Sequence, residues 1–230
     1  MVGNPDHNDK TFKEDDYEEF YEDHHFQPLR DADALNCHEV IPRFGWAFDK
    51  VQELKVSSLL DLGCLDGSFP LTVAKHLGMK VAGVDLTKDG IKIASHRARE
   101  NGLDATFAQG TAENYLQYCI DNNITYDIIT AFEIIEHVKD VPLLLGLIDK
   151  VLSPGGSVLL STPSFESPIW GMDDEQNKCH VRLYTTKDED YEAVNKYGNT
   201  RKATSMPKEV GPERIKEMGI YSELINVWYQ

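Results

Sequence analysis

Asp61, Gly63 and Gly67 lie two and four residues apart in the run Leu59-Leu60-Asp61-Leu62-Gly63-Cys64-Leu65-Asp66-Gly67-Ser68-Phe69. Asp85 closes a second apolar run, Val81-Ala82-Gly83-Val84-Asp85-Leu86, 24 residues after Asp61. An apolar run that stops at an acid and two glycines predicts a buried strand passing into a tight turn, after which Ser68 can cap a helix. At Gly63 and Gly67 the absence of a Cβ would let backbone approach a ligand. Asp85, at the end of the next strand, can accept both hydroxyls of a ribose. A dinucleotide turn would need glycine at 65 and 68, so that a pyrophosphate could rest on bare backbone at the helix start. Leu65 and Ser68 stand there instead, which points to a nucleoside without a pyrophosphate. A second cluster follows in Glu133-Ile134-Ile135-Glu136-His137-Val138. If this segment begins a helical turn, Glu133, Glu136 and His137 share one face. His137 is then a general base for an O–H or N–H nucleophile, or a helix-start residue bonded to backbone.

These residues must be placed by the elements around them. The periodicity predicts strands near 57–64, 80–86, 105–110, 126–134 and 156–163, and helices near 68–77, 88–100, 112–122 and 141–152. Each helix falls between two strands, which implies right-handed crossovers and a parallel sheet. Asn101-Gly102 and Pro154-Gly155-Gly156 read as helix ends. Residues 36–55 read as helical, with Pro42 and Gly45 marking a turn or kink. After 163 the rhythm changes to a loop with Phe165, Trp170, Asp173, Asp174 and Glu175, then a polar helical stretch near 186–197, a weak strand near 200–206 and a closing strand over 221–229. That loop is either an acceptor-contacting segment, suited to a polar neutral or cationic group, or a solvated surface.

Composition bounds the reading. The chain of 230 residues is long enough for one well-buried domain, and 41% hydrophobic residues are enough for it to fold. A net charge of −16 argues against general nucleic-acid binding, which works by neutralising phosphates with Lys and Arg. No run of about 18 apolar residues is available for a membrane span, and no signal-peptide core is evident, so a cytoplasmic protein is expected. Cys37, Cys64, Cys119 and Cys179 form no C-x-x-C pair, and free thiols are expected. Much of the negative charge sits in residues 1–25, where Tyr17, Phe20, Tyr21 and His24 form one stripe of an acidic amphipathic helix. That stripe either packs on the domain or meets a partner. Two parts are therefore expected, an acidic arm and helical cap over 1–55 and a main domain over 56–230 with a substrate loop at 164–184.

The Asp61–Gly67 turn resembles the first motif of the class I S-adenosylmethionine-dependent methyltransferases, D/E-x-G-x-G-x-G, with Leu65 departing at the middle glycine. The resemblance runs from about 57 to 163. It implies a Rossmann-like doubly wound α/β sheet of about seven mostly parallel strands, with an antiparallel strand near the C-terminus, and an N-terminal helix over the cofactor mouth. It implies cofactor contacts from Asp61, Gly63, Cys64, Leu65, Gly67, Asp85 and Leu86, and an adenine-contacting turn at Gly110, Thr111 and Ala112. Thr111 could equally cap the next helix, and Phe132 could flank the cofactor or simply be core. The Glu133–Val138 segment resembles the E-x-x-E-H-V pattern of small-molecule methyltransferases, including the ubiquinone-biosynthesis O-methyltransferases. It also resembles the start of the metal site in small-RNA terminal 2′-O-methyltransferases, where His180 could complete a set of Glu133, Glu136 and His137 around a divalent cation. The leading expectation is methyl transfer to an oxygen or nitrogen of a small molecule or sugar, with His137 as base. A metal-dependent RNA 2′-O-methyltransferase and a non-catalytic methyltransferase-like binding module are the alternatives.

Overall fold

The computed structural model describes residues 28–162 and 220–223. Three helices come first: α1 (Asp31–Ala34), α2 (Cys37–Val40) and α3 (Pro42–Leu54). Alternating elements follow: β1 (Ser58–Leu62), α4 (Ser68–Leu77), β2 (Lys80–Asp85), α5 (Lys88–Glu100), β3 (Ala105–Gln109), α6 (Ala112–Asp121), β4 (Tyr126–Phe132), α7 (Val141–Val151) and β5 (Leu152–Ser161). A last strand, β6, covers Ile220–Glu223.

The six described strands form one sheet in the order β3-β2-β1-β4-β5-β6, with every pair parallel. β1 is the centre, and the chain reverses its direction of travel across the sheet between β1 and β4. In open α/β sheets such a switch point opens a crevice at the carboxyl ends of the strands. Period-two alternation sends side chains to two cores. Leu60, Leu62, Ala82, Val84, Ile129 and Ala131 face α6 and α7. Leu59, Val81, Ile128 and Leu159 face the other side, against Phe69 and Val73 of α4 and Ala47, Phe48 and Val51 of α3. β1 and β4 are buried nearly throughout, as a central parallel sheet requires.

Helix ends explain several residues. Pro42 occupies the first turn of α3, where a missing N–H costs nothing, and α2 and α3 are separated at Ile41. Gly45 is needed because a Cβ there would lie 2.8 Å from the His38 carbonyl oxygen. Gly78 closes α4 in the left-handed conformation and donates its N–H to Ala74. Asp140 caps α7 by accepting the Leu143 N–H at 2.9 Å.

Two expectations are corrected. The helix ends at Val151, and Pro154-Gly155-Gly156 lie within β5, where the pairing with β4 slips from Tyr126↔Leu152 to Ile128↔Ser157. The three residues make an irregularity in a strand, not a helix stop, and Gly155 takes φ +79° there. The described part of the closing strand, Ile220–Glu223, runs parallel to β5 and not antiparallel. The chain between Ser161 and Ile220 is long enough for the crossover that a parallel pair needs. A seventh strand, the acidic stripe of residues 17–24, the loop 164–184 and the elements expected near 186–206 lie outside the described residues. Among the described residues no helix is long and apolar enough to cross a membrane.

Candidate active site

A cavity of about 750 Å³ opens at the carboxyl ends of β1, β2 and β4 and is bounded on the N-terminal side by Leu29, Ile41, Arg43 and Phe44. Of the residues expected from the sequence to meet a cofactor, all line it except Gly67. The turn from β1 to α4 is built from three left-handed residues, Gly63 (φ +71°), Leu65 (φ +48°) and Gly67 (φ +73°). The spacing of the motif is thus a backbone requirement, which glycine meets freely and Leu65 meets under strain. Packing gives the glycines a second reason. A Cβ at Gly63 would clash with Ile134 Cδ1, and one at Gly67 would lie 2.7 Å from Ala94 Cβ. Both positions are crowded by neighbouring side chains, and Gly63 also lines the cavity.

The turn is pinned to β2. Gly63 and Cys64 donate their N–H groups to the Val84 carbonyl at 2.8 and 3.1 Å. The Leu65 N–H donates to Asp85 Oδ2 at 2.8 Å, which offsets part of the Leu65 strain. Thr87 donates its N–H and hydroxyl to Asp85 Oδ1 at 2.8 and 2.7 Å. An ionised carboxylate has about four acceptor sites, so Asp85 keeps room for one ribose hydroxyl and not two. Burial raises its pKa, opposed by these hydrogen bonds from Thr87 and Leu65.

Asp61 lies beside Thr130 in the β1–β4 register and opposite Gly83 in β2. The Thr130 hydroxyl donates to Asp61 Oδ1. Cys64 Sγ fills the space over Gly83, where a Cβ would lie 2.6 Å from the sulfur. The Asp61 side chain is only 4% exposed. Burial pushes its pKa up to about 7, with Thr130 and Arg43 lowering it and Asp85 raising it.

Thr111 caps α6, with Oγ1 accepting the Asn114 N–H at 3.1 Å, and it also lines the cavity, so both expectations for it meet at one residue. Phe132 likewise is buried core and cavity wall. Its ring makes a T-shaped contact with Phe69 at 5.3 Å and a tilted one with Phe44 at 5.8 Å.

The Glu133–Val138 segment is a turn and not the start of a helix. Glu133 takes φ +56°, and the His137 N–H closes the turn on the Ile134 carbonyl at 2.9 Å. Without helical spacing the three side chains do not share a face. Glu133 Oε1 accepts the Ser161 hydroxyl at 2.6 Å and lies 3.9 Å from Arg43 Nη1. Glu136 is 1% exposed and accepts the Thr162 hydroxyl at 3.0 Å. Its other oxygen has no partner among the described residues. Burial, reinforced by Glu133, raises its pKa well above the ordinary carboxylate range. Among the described residues no three His, Cys, Asp or Glu converge on a point that could hold a metal ion, and His180 lies outside them. His137 faces the cavity beside Glu133 and Lys139.

Two arginines were not singled out from the sequence. Arg43 lines the cavity from α3, stacks over the Phe44 ring at 5.1 Å and has a buried Nε without a hydrogen-bond partner among the described residues. Arg97 of α5 is buried against Asp66, with Nη1 2.8 Å from Oδ2, and also donates to Asp31 Oδ1 at 3.0 Å and to the Leu29 carbonyl. It ties the N-terminal wall of the cavity to the glycine turn. Arg43 stands in the first turn of an amphipathic helix that also carries Asp49, Lys50 and Glu53, and Arg97 lies on a polar helix, so neither stood out in the sequence.

A ligand with a ribose, an ammonium group and a carboxylate would find at this cavity an acceptor in Asp85, an open buried carboxyl in Asp61 and an incompletely paired cation in Arg43, so the residues present fit S-adenosylmethionine. Comparison with known proteins agrees. The family described as "Methyltransferase domain" matches residues 54–208. The ubiquinone biosynthesis O-methyltransferase of Serratia proteamaculans is 30% identical over 147 residues, covering 64% of this chain and 56% of that protein. That of Aeromonas salmonicida is 34% identical over 126 residues, covering 54% and 51%. The chain thus spans about half the length of the curated relatives it matches. Among solved structures, the YcgJ protein from Bacillus subtilis is 26% identical, with 62% of each chain covered and a TM-score of 0.49. The match to the family over more than half of the sequence, on a sheet whose switch point holds the expected acids and turn, makes this chain a member of the S-adenosylmethionine-dependent methyltransferase family.

Proposed function

We propose that the chain moves a methyl group from S-adenosylmethionine to an oxygen or nitrogen of a small-molecule acceptor, with His137 as general base. The observation that carries this reading is the meeting of Asp61, Asp85 and Arg43 at one cavity across the β1/β4 switch point. Asp85 would hold a ribose hydroxyl, Asp61 the cationic end and Arg43 the carboxylate. When bound, the cofactor supplies a methyl group on a sulfur that is its own leaving group. The work left to the protein is alignment of the acceptor and exclusion of water, and positioning of this kind is worth about 7–11 kcal/mol. Phe44, Phe69 and Phe132 form the apolar wall that keeps water out. His137 faces the cavity from the turn after β4, where it would accept the acceptor's proton and add about 10² to 10⁴ in rate.

The curated relatives named O-methyltransferases support an oxygen acceptor. The metal-dependent RNA reading has no support in the geometry of Glu133, Glu136 and His137. Isothermal titration with S-adenosylmethionine, S-adenosylhomocysteine and NAD tests the cofactor: the first two bind and NAD does not. Transfer of a labelled methyl group across a panel of phenols, alcohols and amines, with and without a chelator, tests the rest. Activity persists in chelator. Tight NAD binding would sink the cofactor assignment, and rescue of a chelated enzyme by Mg²⁺ or Mn²⁺ would restore the metal reading.

A further inference from the structure

Among the described residues, four that are not glycine hold left-handed backbone. Lys55 closes α3 and Asn123 follows the end of α6, where chains commonly turn this way. Leu65 and Glu133 line the cavity. Glu133 is pinned by Ser161 through both its N–H and its carboxylate. Leu65 is not explained by folding. Its φ of +48° strains any residue with a Cβ, and glycine would adopt it freely. The turn holds it there regardless. The Leu65 N–H donates to Asp85 Oδ2 at 2.8 Å, its carbonyl oxygen would lie 2.8 Å from a Cβ at Gly90 of α5, and Asp66 after it is fixed by Arg97 and the Leu29 N–H. All of these ties use only the backbone of residue 65, so glycine would make them equally well. The core does not need the side chain either. Leu65 is half-buried and belongs to none of the three apolar clusters formed by the described residues. It lines the cavity instead, beside the one acceptor site that Asp85 keeps open. Backbone strain that the fold does not require gathers at ligand sites.

We propose that the Leu65 side chain is an affinity-determining contact for the nucleoside half of the cofactor: it covers the hydrogen bond between Asp85 and a ribose hydroxyl and keeps water from it. The inference rests on the assignment of S-adenosylmethionine to this cavity, with its ribose at Asp85. A charge-assisted hydrogen bond is stronger where water is excluded, and the isobutyl group adds apolar contact of its own. Turn stability and ligand affinity therefore oppose one another at this position. Glycine would relax the turn and leave the Asp85 bond open to solvent.

The test is titration calorimetry and thermal unfolding of the whole chain as wild type, Leu65→Gly and Leu65→Ala. The ligands are S-adenosylmethionine, S-adenosylhomocysteine and 5′-methylthioadenosine, which share the nucleoside and differ in what the sulfur carries. Both variants raise the Kd of all three by about fivefold or more, because both lose the apolar cover. Without ligand, Leu65→Gly melts about 2–4 °C above Leu65→Ala, since only glycine relieves the turn, and within about 3 °C of wild type. Combined with Asp85→Asn, Leu65→Ala raises Kd by about twofold or less, because the charged bond it covered is gone. Affinities within about twofold of wild type in both single variants overturn the inference and leave the cofactor assignment intact. A loss confined to Leu65→Gly traces to backbone freedom, and a loss that spares 5′-methylthioadenosine places Leu65 at the amino-acid end; either overturns it. The full loss in the Asp85→Asn chain overturns the shielding. A fall in Tm of about 6 °C or more in both variants marks a core leucine and overturns it as well. Failure of all three ligands to bind the wild-type chain overturns the assignment and the inference together.

Discussion

Replacing Arg97 by alanine removes the hub that fixes one wall of the cavity. The side chain of Arg97 is 6% exposed and that of Asp66 5%. Arg97 donates to Asp66 Oδ2 at 2.8 Å, to the Asp66 carbonyl at 3.3 Å, to Asp31 Oδ1 at 3.0 Å and to the Leu29 carbonyl. Removing one partner of a buried ion pair typically costs about 3–5 kcal/mol, because the other charge is left without compensation. Here Asp66 keeps three donors: the Leu29 N–H at 3.0 Å, the Ser68 N–H at 3.2 Å and the Ser68 hydroxyl at 2.6 Å. The loss should therefore fall at the low end, about 3 kcal/mol, within the 5–15 kcal/mol that a domain can spare before unfolding. Arg97→Lys should recover little, since an ammonium cannot replace a fork bonded to three separate residues. Leu29 lines the cavity and both of its backbone groups are tied to this hub, so cofactor affinity falls with stability. Urea unfolding followed by circular dichroism measures the first effect, and amide exchange over residues 29–35 together with cofactor titration measures the second. In a double-mutant cycle with Asp66→Asn the coupling should reach at least about 1 kcal/mol. A variant within about 1 kcal/mol of wild type, with unchanged exchange and affinity, would refute the argument that this pair holds the N-terminal wall.

Asp85→Ala should weaken S-adenosylmethionine binding by about 1.5–3 kcal/mol through loss of a charge-assisted hydrogen bond, and should also lower Tm by freeing the Leu65 and Thr87 donors; unchanged affinity in a folded variant would remove Asp85 from the cofactor site. His137→Ala should lower kcat by about 10²-fold or more with cofactor affinity nearly intact, and a rate like wild type on any accepted substrate would make His137 structural. Glu136→Gln should gain stability relative to wild type as pH rises from 5 to 8. The folded pKa of Glu136 lies above its unfolded value, so the native state binds more protons and wild-type stability falls with pH above the unfolded value, a loss that glutamine does not share. Parallel Tm profiles against pH would contradict this.

The layered α/β architecture was legible because its signals are local. Apolar runs of strand length, separated by amphipathic helices with glycine or Pro-containing ends, placed β1 to β4 and α4 to α7 within one or two residues of their observed limits. The place of Asp61 and Asp85 at the cavity was legible for the same reason: each interrupts an apolar strand at its carboxyl end, where the topology of a parallel sheet opens the crevice. The left-handed turn was legible as a pattern of glycines, though not the cause of each glycine, since Ala94, Phe107 and Ile134 reach it from other elements.

The rest was decided by contacts between residues distant in sequence. Arg97 meets Asp66 and Leu29 across 31 and 68 positions, and Thr130 meets Asp61 across 69, distances at which no periodicity carries information. The Glu133–His137 segment has the composition of a helix start, yet Glu133 is turned into the left-handed region, its N–H and carboxylate held by Ser161 of the adjacent strand. That tertiary pairing outweighs the local helical preference and separates the three side chains whose spacing suggested a metal site. The sequence by itself determined which strands exist and which acids end them, because burial against a two-sided core imposes a short-range period. Only the tertiary structure decided how those acids are solvated, which side chains crowd the turn and which arginine faces the cavity, because hydrogen bonding and desolvation depend on neighbours that the chain brings together only when it folds.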